Sequence, residues 1–215
     1  MPRKKALICI VMAAIGIAGL LALLGHTSSG NSATATPRTA LFSAFSTLPA
    51  APVDDQVKAI GAEMRADAQD VSGVRILAAG LGRFKSRLLA FPSFSGQNIC
   101  YALLAADPTD PGMAYCYRPH DNVGAPTELA SEHFSVVALE GRTGPNLDVG
   151  TQVFGVAEDS VVSARVLVAG SWLKIPITHN ALYLDLPGVQ RTDAGTVEVT
   201  LYDGSTERHD LQTGL

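Results

Sequence analysis

Two cysteines are the residues whose type and spacing most clearly predict a bond. Cys100 and Cys116 flank the segment 107–112, Asp-Pro-Thr-Asp-Pro-Gly, whose composition is typical of a turn. If this turn joins two antiparallel strands, Cys100 faces Cys116 at a distance that a disulfide can span. The same register places Tyr101 opposite Tyr115. A redox-active pair and a metal site are the alternatives, but the spacing is not C-x-x-C, which favours a structural disulfide.

The histidines do not have the spacing of a metal site or of a catalytic motif. No two of the five are related as i and i+4 or as H-x-H. A hydrolase-like set can be assembled from Ser93, His133 and Asp148, but no G-x-S-x-G motif accompanies it. His120 and Asp121 are most simply interpreted as solvated loop residues. The sequence therefore predicts no catalytic residue, no cofactor and no metal ligand.

Three cations and several aromatic residues are candidates for binding. Arg83, Lys85 and Arg87 alternate along a predicted strand, so that one face could contact an anionic wall polymer or lipid headgroups. A solvated face, or a sheet edge protected by charge, explains the same pattern without a ligand and is preferred. The aromatic residues could line a carbohydrate or peptide groove, although cross-strand packing is the simpler interpretation. They are Tyr101, Tyr115, Tyr117 and Trp172.

The elements that carry these residues are predicted to be mainly strands. Beyond Gly73 the apolar residues follow a period of two, and turn signals recur about every ten residues, as in an antiparallel β-sandwich or barrel. Hairpin turns are expected at 169–171 and at 203–204. In 197–201 the alternation predicts an inward face of Val197, Val199 and Leu201. The predicted strands are 83–88, 97–104, 113–117, 152–156, 161–168, 172–178, 182–186 and 197–202.

Residues 73–215 are thus predicted to form a β-sandwich-like domain, and two segments of different character precede it. Residues 54–72 predict an amphipathic helix, with Asp54 as its N-cap. Residues 26–53 are rich in Ser, Thr, Ala and Pro and predict a flexible linker. Within the linker, the apolar piece 40–48 could form a short helix on the domain or on a membrane surface, but a loose spacer is preferred.

The chain begins with a basic stub, residues 1–5, followed by an apolar run, residues 6–25. Twenty helical residues reach about 30 Å, enough to cross a bilayer's hydrocarbon core. The run predicts a transmembrane signal anchor with the stub in the cytoplasm and the rest outside. Removal as a signal peptide near 33–35, Ala-Thr-Ala, is the alternative and would leave a secreted protein.

The distribution of charged residues argues against one class of binding partner. Three of the sixteen basic residues lie in the stub, which leaves thirteen against twenty acidic residues in the remainder. A net acidic region lacks the concentrated positive surface that binding to phosphate backbones requires. The sequence therefore argues against nucleic-acid binding.

Three short motifs resemble those of uncharacterised exported or membrane-anchored β-domain proteins of high-GC Gram-positive bacteria. They are Gln97–Tyr101 with a second cysteine sixteen residues after the first, Val153–Val161, and Ile175–Tyr183. The resemblance covers about residues 75–205. It implies an anchored or secreted β domain with no assigned activity, and it transfers no catalytic residue.

These observations predict a membrane-anchored extracytoplasmic β domain that acts as a non-catalytic interaction or structural module of the cell envelope. Its expected partners are the lipid bilayer through residues 6–25, and an envelope protein or an anionic wall polymer. An extracytoplasmic enzyme is the second class of function. A sensory ectodomain that acts through a membrane partner is the third. A deep pocket with convergent polar groups would favour the enzyme, and a flat or grooved aromatic surface would favour binding.

Overall fold

Strands account for most of the regular structure. Helical segments are short: 3₁₀ helices at Arg38–Leu41 and Arg191–Asp193, and α-helices at Ala44–Thr47 and Asp55–Glu63. No helix within the described residues is long and apolar enough to cross a membrane, and the predicted span 6–25 lies outside them. The computed structural model describes residues 38–63, 73–93, 98–107, 112–117, 133–143 and 148–211.

Twelve strands within these residues form three antiparallel sheets of four strands each. The first sheet has the order β1-β2-β3-β4, the second β5-β6-β10-β9 and the third β12-β11-β7-β8. The strands are β1 Arg75–Leu81, β2 Ser86–Ser93, β3 Asn98–Leu104, β4 Met113–Tyr117, β5 Phe134–Thr143, β6 Asp148–Ala157, β7 Val161–Val168, β8 Ser171–Ile175, β9 Ile177–Thr178, β10 Ala181–Pro187, β11 Ala194–Leu201 and β12 Thr206–Asp210.

The second sheet is covered on both faces. Along β5, Phe134 and Val136 pack in one core with side chains of the third sheet, whereas Val137 packs in another core with the first sheet. Successive side chains of a strand point to opposite faces, so a strand between two cores can bury apolar residues at adjacent positions. In β6, Val153 and Phe154 are accordingly both fully buried, in different cores. The fold is therefore β-sandwich-like, as predicted, but with three sheets.

Much of the predicted strand pattern is confirmed. β4 and β7 have the predicted bounds, both expected hairpin turns are present, and Val197, Val199 and Leu201 are buried. The predicted strand 172–178 divides at Pro176 into β8 of the third sheet and β9 of the second, because proline cannot donate a ladder hydrogen bond.

Three strands, β1, β5 and β12, were not predicted. The exposed edge strand β12 is polar throughout, and β5 has apolar residues at consecutive positions from Val136 to Leu139, so neither shows clear alternation.

Gly155 allows β5 and β6 to lie close together. It lies near the end of β6, which begins at Asp148. A Cβ atom at Gly155 would lie 2.0 Å from the carbonyl oxygen of Ser135 on β5. Glycine is therefore required for the close approach of these two strands.

The predicted disulfide is present between Cys100 and Cys116. β3 and β4 pair in the predicted register, with Cys100 opposite Cys116 and Tyr101 opposite Tyr115. Cys100 is fully buried beneath the helix Asp55–Glu63, in a core that also contains Val57 and Ile60 of that helix. The bond therefore links two strands at a packed face of the first sheet.

Replacing both Cys100 and Cys116 by serine should lower the free energy of unfolding by about 3 kcal/mol, the chain-entropy value for a loop of this size. Urea denaturation followed by the fluorescence of Trp172 measures this change. Treating the wild type with dithiothreitol before denaturation should shift its midpoint similarly. A reduced wild type as stable as the oxidised protein would contradict a stabilising bond.

The described part of the predicted linker differs from the expectation of a loose spacer. Residues 38–48, here called the N-terminal strap, pack against the first and second sheets. Phe42 is 1 % exposed and shares a core with Tyr101 and Phe154. Burial of a phenylalanine side chain outweighs the entropy lost by ordering a few residues only when polar backbone groups are also satisfied.

Two polar side chains from distant parts of the chain form hydrogen bonds with the backbone of the strap. The backbone N–H of Ala44 donates to Oδ1 of Asn180 at 2.9 Å, and that of Ser43 donates to Oδ1 of Asp159 at 3.0 Å. The Nδ2 of Asn180 donates to the same oxygen of Asp159 at 2.8 Å. The carbonyl of Leu41 in turn accepts from the N–H of Asp159. The strap is therefore bound by the turns before β7 and β10.

Replacing Phe42 by alanine should lower the free energy of unfolding by about 3–5 kcal/mol, since it empties a ring-sized space in the core. Urea denaturation followed by Trp172 fluorescence is a suitable measurement, because this is the chain's single tryptophan. Leu41→Ala is the matched control, since Leu41 is 38 % exposed, and should cost about 0.5 kcal/mol or less. If residues 38–48 were a loose spacer, both substitutions would instead lower the free energy of unfolding by the same small amount.

Candidate functional site

The three predicted cations do not share a strand face. β2 begins at Ser86, so Arg83 and Lys85 lie in the turn between β1 and β2, and Lys85 has a positive φ of 52°. The expectation of one cationic strand face is therefore wrong. The turn starts at Gly82, whose φ of 55° favours glycine. This turn occupies the first part of the predicted strand 83–88.

Arg83 and Arg87 are held by partners within the fold. The guanidinium of Arg83 forms two hydrogen bonds to Asp185 on β10, with Nη2 at 2.8 Å and Nε at 3.1 Å from Oδ1. Arg87 donates to Oδ2 of Asp54 at 2.9 Å and to Oε1 of Gln56 at 2.8 Å. These bonds join the first sheet to the second sheet and to the helix Asp55–Glu63. Two of the three cations therefore have structural partners.

Asp54 is the N-cap that the sequence predicts. Its Oδ1 accepts from the N–H of Val57 at 3.0 Å. This backbone hydrogen bond, followed by the contact with Arg87, lowers the pKa of the Asp54 carboxyl against the opposing effect of burial. The helix is described from Asp55 to Glu63, and the remainder of the predicted range 54–72 lies outside the described residues.

A second group of charges lies on the outer face of the third sheet. The pairing of four strands places four charged residues side by side, at one level of the sheet. We call them the charged row: Lys174 on β8, Arg165 on β7, Glu198 on β11 and Arg208 on β12. The row holds three cations and one carboxylate, so it is positive within a net acidic region.

Glu198 is the centre of the charged row. Its side chain is 5 % exposed because Arg165 and Arg208 cover it from either side. Nε of Arg165 donates to Oε1 at 2.7 Å and Nε of Arg208 donates to Oε2 at 2.5 Å. The hydrogen bond from Arg208, and then that from Arg165, lower the pKa of the Glu198 carboxyl although burial opposes them.

Trp172 lies beside the charged row. The guanidinium carbon of Arg165 is 4.5 Å from the centroid of the indole ring, a cation–π distance. Trp172 is 38 % exposed, so part of the ring remains open to solvent. Arg165 is thus oriented by the Trp172 ring and by the carboxylate of Glu198, which limits the rotamers of a long cationic side chain.

A shallow groove of about 590 Å³ runs along this face. The next level of the sheet supplies hydroxyl groups, since Thr200 pairs with Ser163 on one side and with Thr206 on the other. The groove therefore offers cations, one open aromatic face and several neutral hydrogen-bonding groups. This combination of groups is compatible with an extended anionic chain as ligand.

The three aromatic residues whose side chains are described, Tyr101, Tyr115 and Trp172, do not line one groove. Tyr101 and Tyr115 stack with ring centroids 5.9 Å apart and pack with Phe154 in the core between the first two sheets. Burial raises the pKa of Tyr101, which is fully enclosed and bonded to Ser135. Trp172 belongs to the third sheet and does not join them. Cross-strand packing, the simpler interpretation, therefore accounts for Tyr101 and Tyr115.

The hydrolase-like set is also separated by the fold. His133 precedes the start of β5, whereas Asp148 pairs with Thr143 at the opposite end of the β5–β6 hairpin. Strands of ten residues place these ends about 30 Å apart. Nδ1 of His133 instead contacts Oε1 of Glu207. Within the described part of the chain, no three His, Cys, Asp or Glu side chains gather as metal ligands.

The fold and this face define an antiparallel three-sheet β protein with a cationic and aromatic outer groove. No family model, no curated protein and no solved structure matches the chain.

The sequence does not predict the charged row, and the reason is physical. Half of it follows from one hairpin: a two-residue turn at Ala169 and Gly170 places Arg165 opposite Lys174. The other half, Glu198 and Arg208, lies in the β11–β12 hairpin. The two halves meet only through the pairing of β7 with β11, in which Arg165 and Glu198 are 33 positions apart. No local pattern encodes that pairing, and Glu198 reads as an outward residue of an amphipathic strand.

Replacing Glu198 by glutamine should reduce the sensitivity of folding to acid. The folded carboxyl has a lower pKa than the unfolded one, whose ordinary value is 4.5, so ionised Glu198 favours the folded state above that pH. This contribution is lost as the pH falls through the lowered folded value. Urea midpoints at about pH 6 and about pH 3 should therefore differ less in Glu198→Gln than in the wild type. Glu140→Gln, at an exposed position, is the control. An equal change of the urea midpoint with pH in all three proteins would contradict the role of Glu198.

Proposed function

We propose that this protein is a membrane-anchored, extracytoplasmic binding module of the cell envelope, and that its ligand is an anionic polysaccharide of the wall. The observation that carries the proposal is the charged row beside Trp172 on the outer face of the third sheet. The apolar run 6–25 and the resemblance to exported β-domain proteins support the location outside the membrane.

Charge favours an anionic ligand at this groove. Arg165 and Arg208 share the single carboxylate of Glu198, and Lys174 has no ion pair with any described residue. The row therefore retains a net positive charge, although the chain outside the apolar run is acidic. A local cluster of this sign attracts a polyanion and releases its counterions, which makes binding sensitive to salt.

The indole of Trp172 favours a sugar-containing chain over a simple polyanion. The apolar C–H face of a pyranose ring packs on an aromatic face, while its hydroxyl groups reach polar neighbours. Ser163, Thr200 and Thr206 supply such neighbours along the groove. A flat sheet surface also suits an extended polymer, because many weak contacts along its length add to the total affinity.

The proposal is tested by binding of the full chain, held in neutral detergent, to polygalacturonate and to neutral dextran. The wild type should bind polygalacturonate, lose affinity as salt rises, and ignore dextran. Trp172→Ala and Lys174→Gln should each weaken binding about fivefold, and the double variant more than tenfold, as expected for one stacking contact and one partly solvated charge.

Two substitutions elsewhere on the surface serve as matched controls. Lys85→Gln removes the same charge from an exposed turn, and Tyr202→Ala removes an aromatic residue that is 83 % exposed. Both should bind like the wild type. Equal losses of affinity in the control variants would show that binding depends only on net charge or on nonspecific apolar contact. Binding to phosphatidylglycerol vesicles but not to polygalacturonate, or dimerisation that buries Trp172, would also overturn the proposal.

A further inference from the structure

A second cavity lies between the first and second sheets. Its volume is about 390 Å³, within the usual range for sites that bind small molecules. Its wall is apolar where the two sheets face each other, and it is more enclosed than the groove on the third sheet. The apolar wall consists of Phe84, Leu103, Met113 and Leu139.

Two buried polar side chains also line this cleft. Ser86 is 1 % exposed and lies in the wall of the cleft. Gln152 is 4 % exposed, and its Oε1 accepts from the hydroxyl of Tyr183 at 3.0 Å. That bond orients the amide and leaves Nε2 of Gln152 as a donor. A hydroxyl and an amide N–H that line one cleft can form hydrogen bonds with a ligand held there.

The charge at the cleft restricts the kind of ligand. Glu140 is an exposed carboxylate in the lining, and none of the described lining residues is a cation. An anionic ligand would be repelled, whereas a neutral one would not. Gln152 requires an acceptor, and the Ser86 hydroxyl can accept or donate. A primary amide supplies both an acceptor oxygen and a donor nitrogen.

We infer that the inter-sheet cleft, formed around Ser86, Gln152 and Glu140, binds a small neutral amide with an apolar or aromatic body. The amide oxygen accepts from Nε2 of Gln152, and the amide nitrogen donates to the hydroxyl of Ser86. The apolar body packs on Phe84 and Leu139. This site is distinct from the groove on the third sheet and does not depend on its function.

Benzamide and benzoate form a matched pair of test ligands, equal in shape and different in charge. Titration of the ¹⁵N-labelled full chain in neutral detergent should give saturable benzamide shifts at the amides of Met113, Glu140, Gly141 and Gln152. A dissociation constant on the order of 1 mM is expected for a ligand of this size. Benzoate should give no saturable shift at these amides.

Two variants separate the site from general binding to apolar surface. Ser86→Ala removes one hydroxyl and adds no bulk, so the fold should persist while benzamide affinity falls at least about threefold. Glu140→Gln removes the repelling charge at an exposed position, and benzoate should then bind. Equal shifts from benzamide and benzoate, shifts spread over the surface, or unchanged affinity in Ser86→Ala would each overturn the inference.

Discussion

The second sheet lies between the other two and needs a covering sheet on each of its faces. β5, β6 and β10 have apolar residues on both faces, so neither face can be left in contact with water. One face is covered by the first sheet and the other by the third. Hydrophobic burial therefore requires all three sheets together, and each outer sheet contributes one packed face. Gly155 and the Tyr101–Ser135 hydrogen bond fit this arrangement, since they permit close approach and join the first sheet to the second.

The same constraint decides which surfaces are available for binding. The outward face of the first sheet is packed by the helix Asp55–Glu63, whereas the charged row occupies the outward face of the third. A strand face that packs against no core can hold charged residues without the cost of burying them. The charged row therefore lies on the outer sheet that the helix does not cover. The cleft at Ser86 lies at the other kind of boundary, where two packed sheets diverge.

Several polar side chains join the layers of the fold. Arg83 with Asp185 and Arg87 with Asp54 connect elements through charge-assisted hydrogen bonds, which are stronger than neutral ones. Asn180 binds the N-terminal strap through its side-chain oxygen and nitrogen. A cationic side chain can therefore either join two elements of the fold or contact a ligand. Its neighbours in the tertiary structure decide which of these it does. Lys174, exposed on the third sheet, has the use proposed for ligand contact.

The amino-acid sequence by itself determined the features that depend on neighbours along the chain. The mainly β class, the turns at 169–171 and 203–204, the N-cap at Asp54 and the register of Cys100 with Cys116 all follow from local turn chemistry and side-chain alternation. Tertiary structure decided the third layer, the docking of Phe42, the partners of Arg83 and the assembly of Glu198 with its cations. These contacts join residues many positions apart, and their energy comes from burial and pairing that no local pattern records.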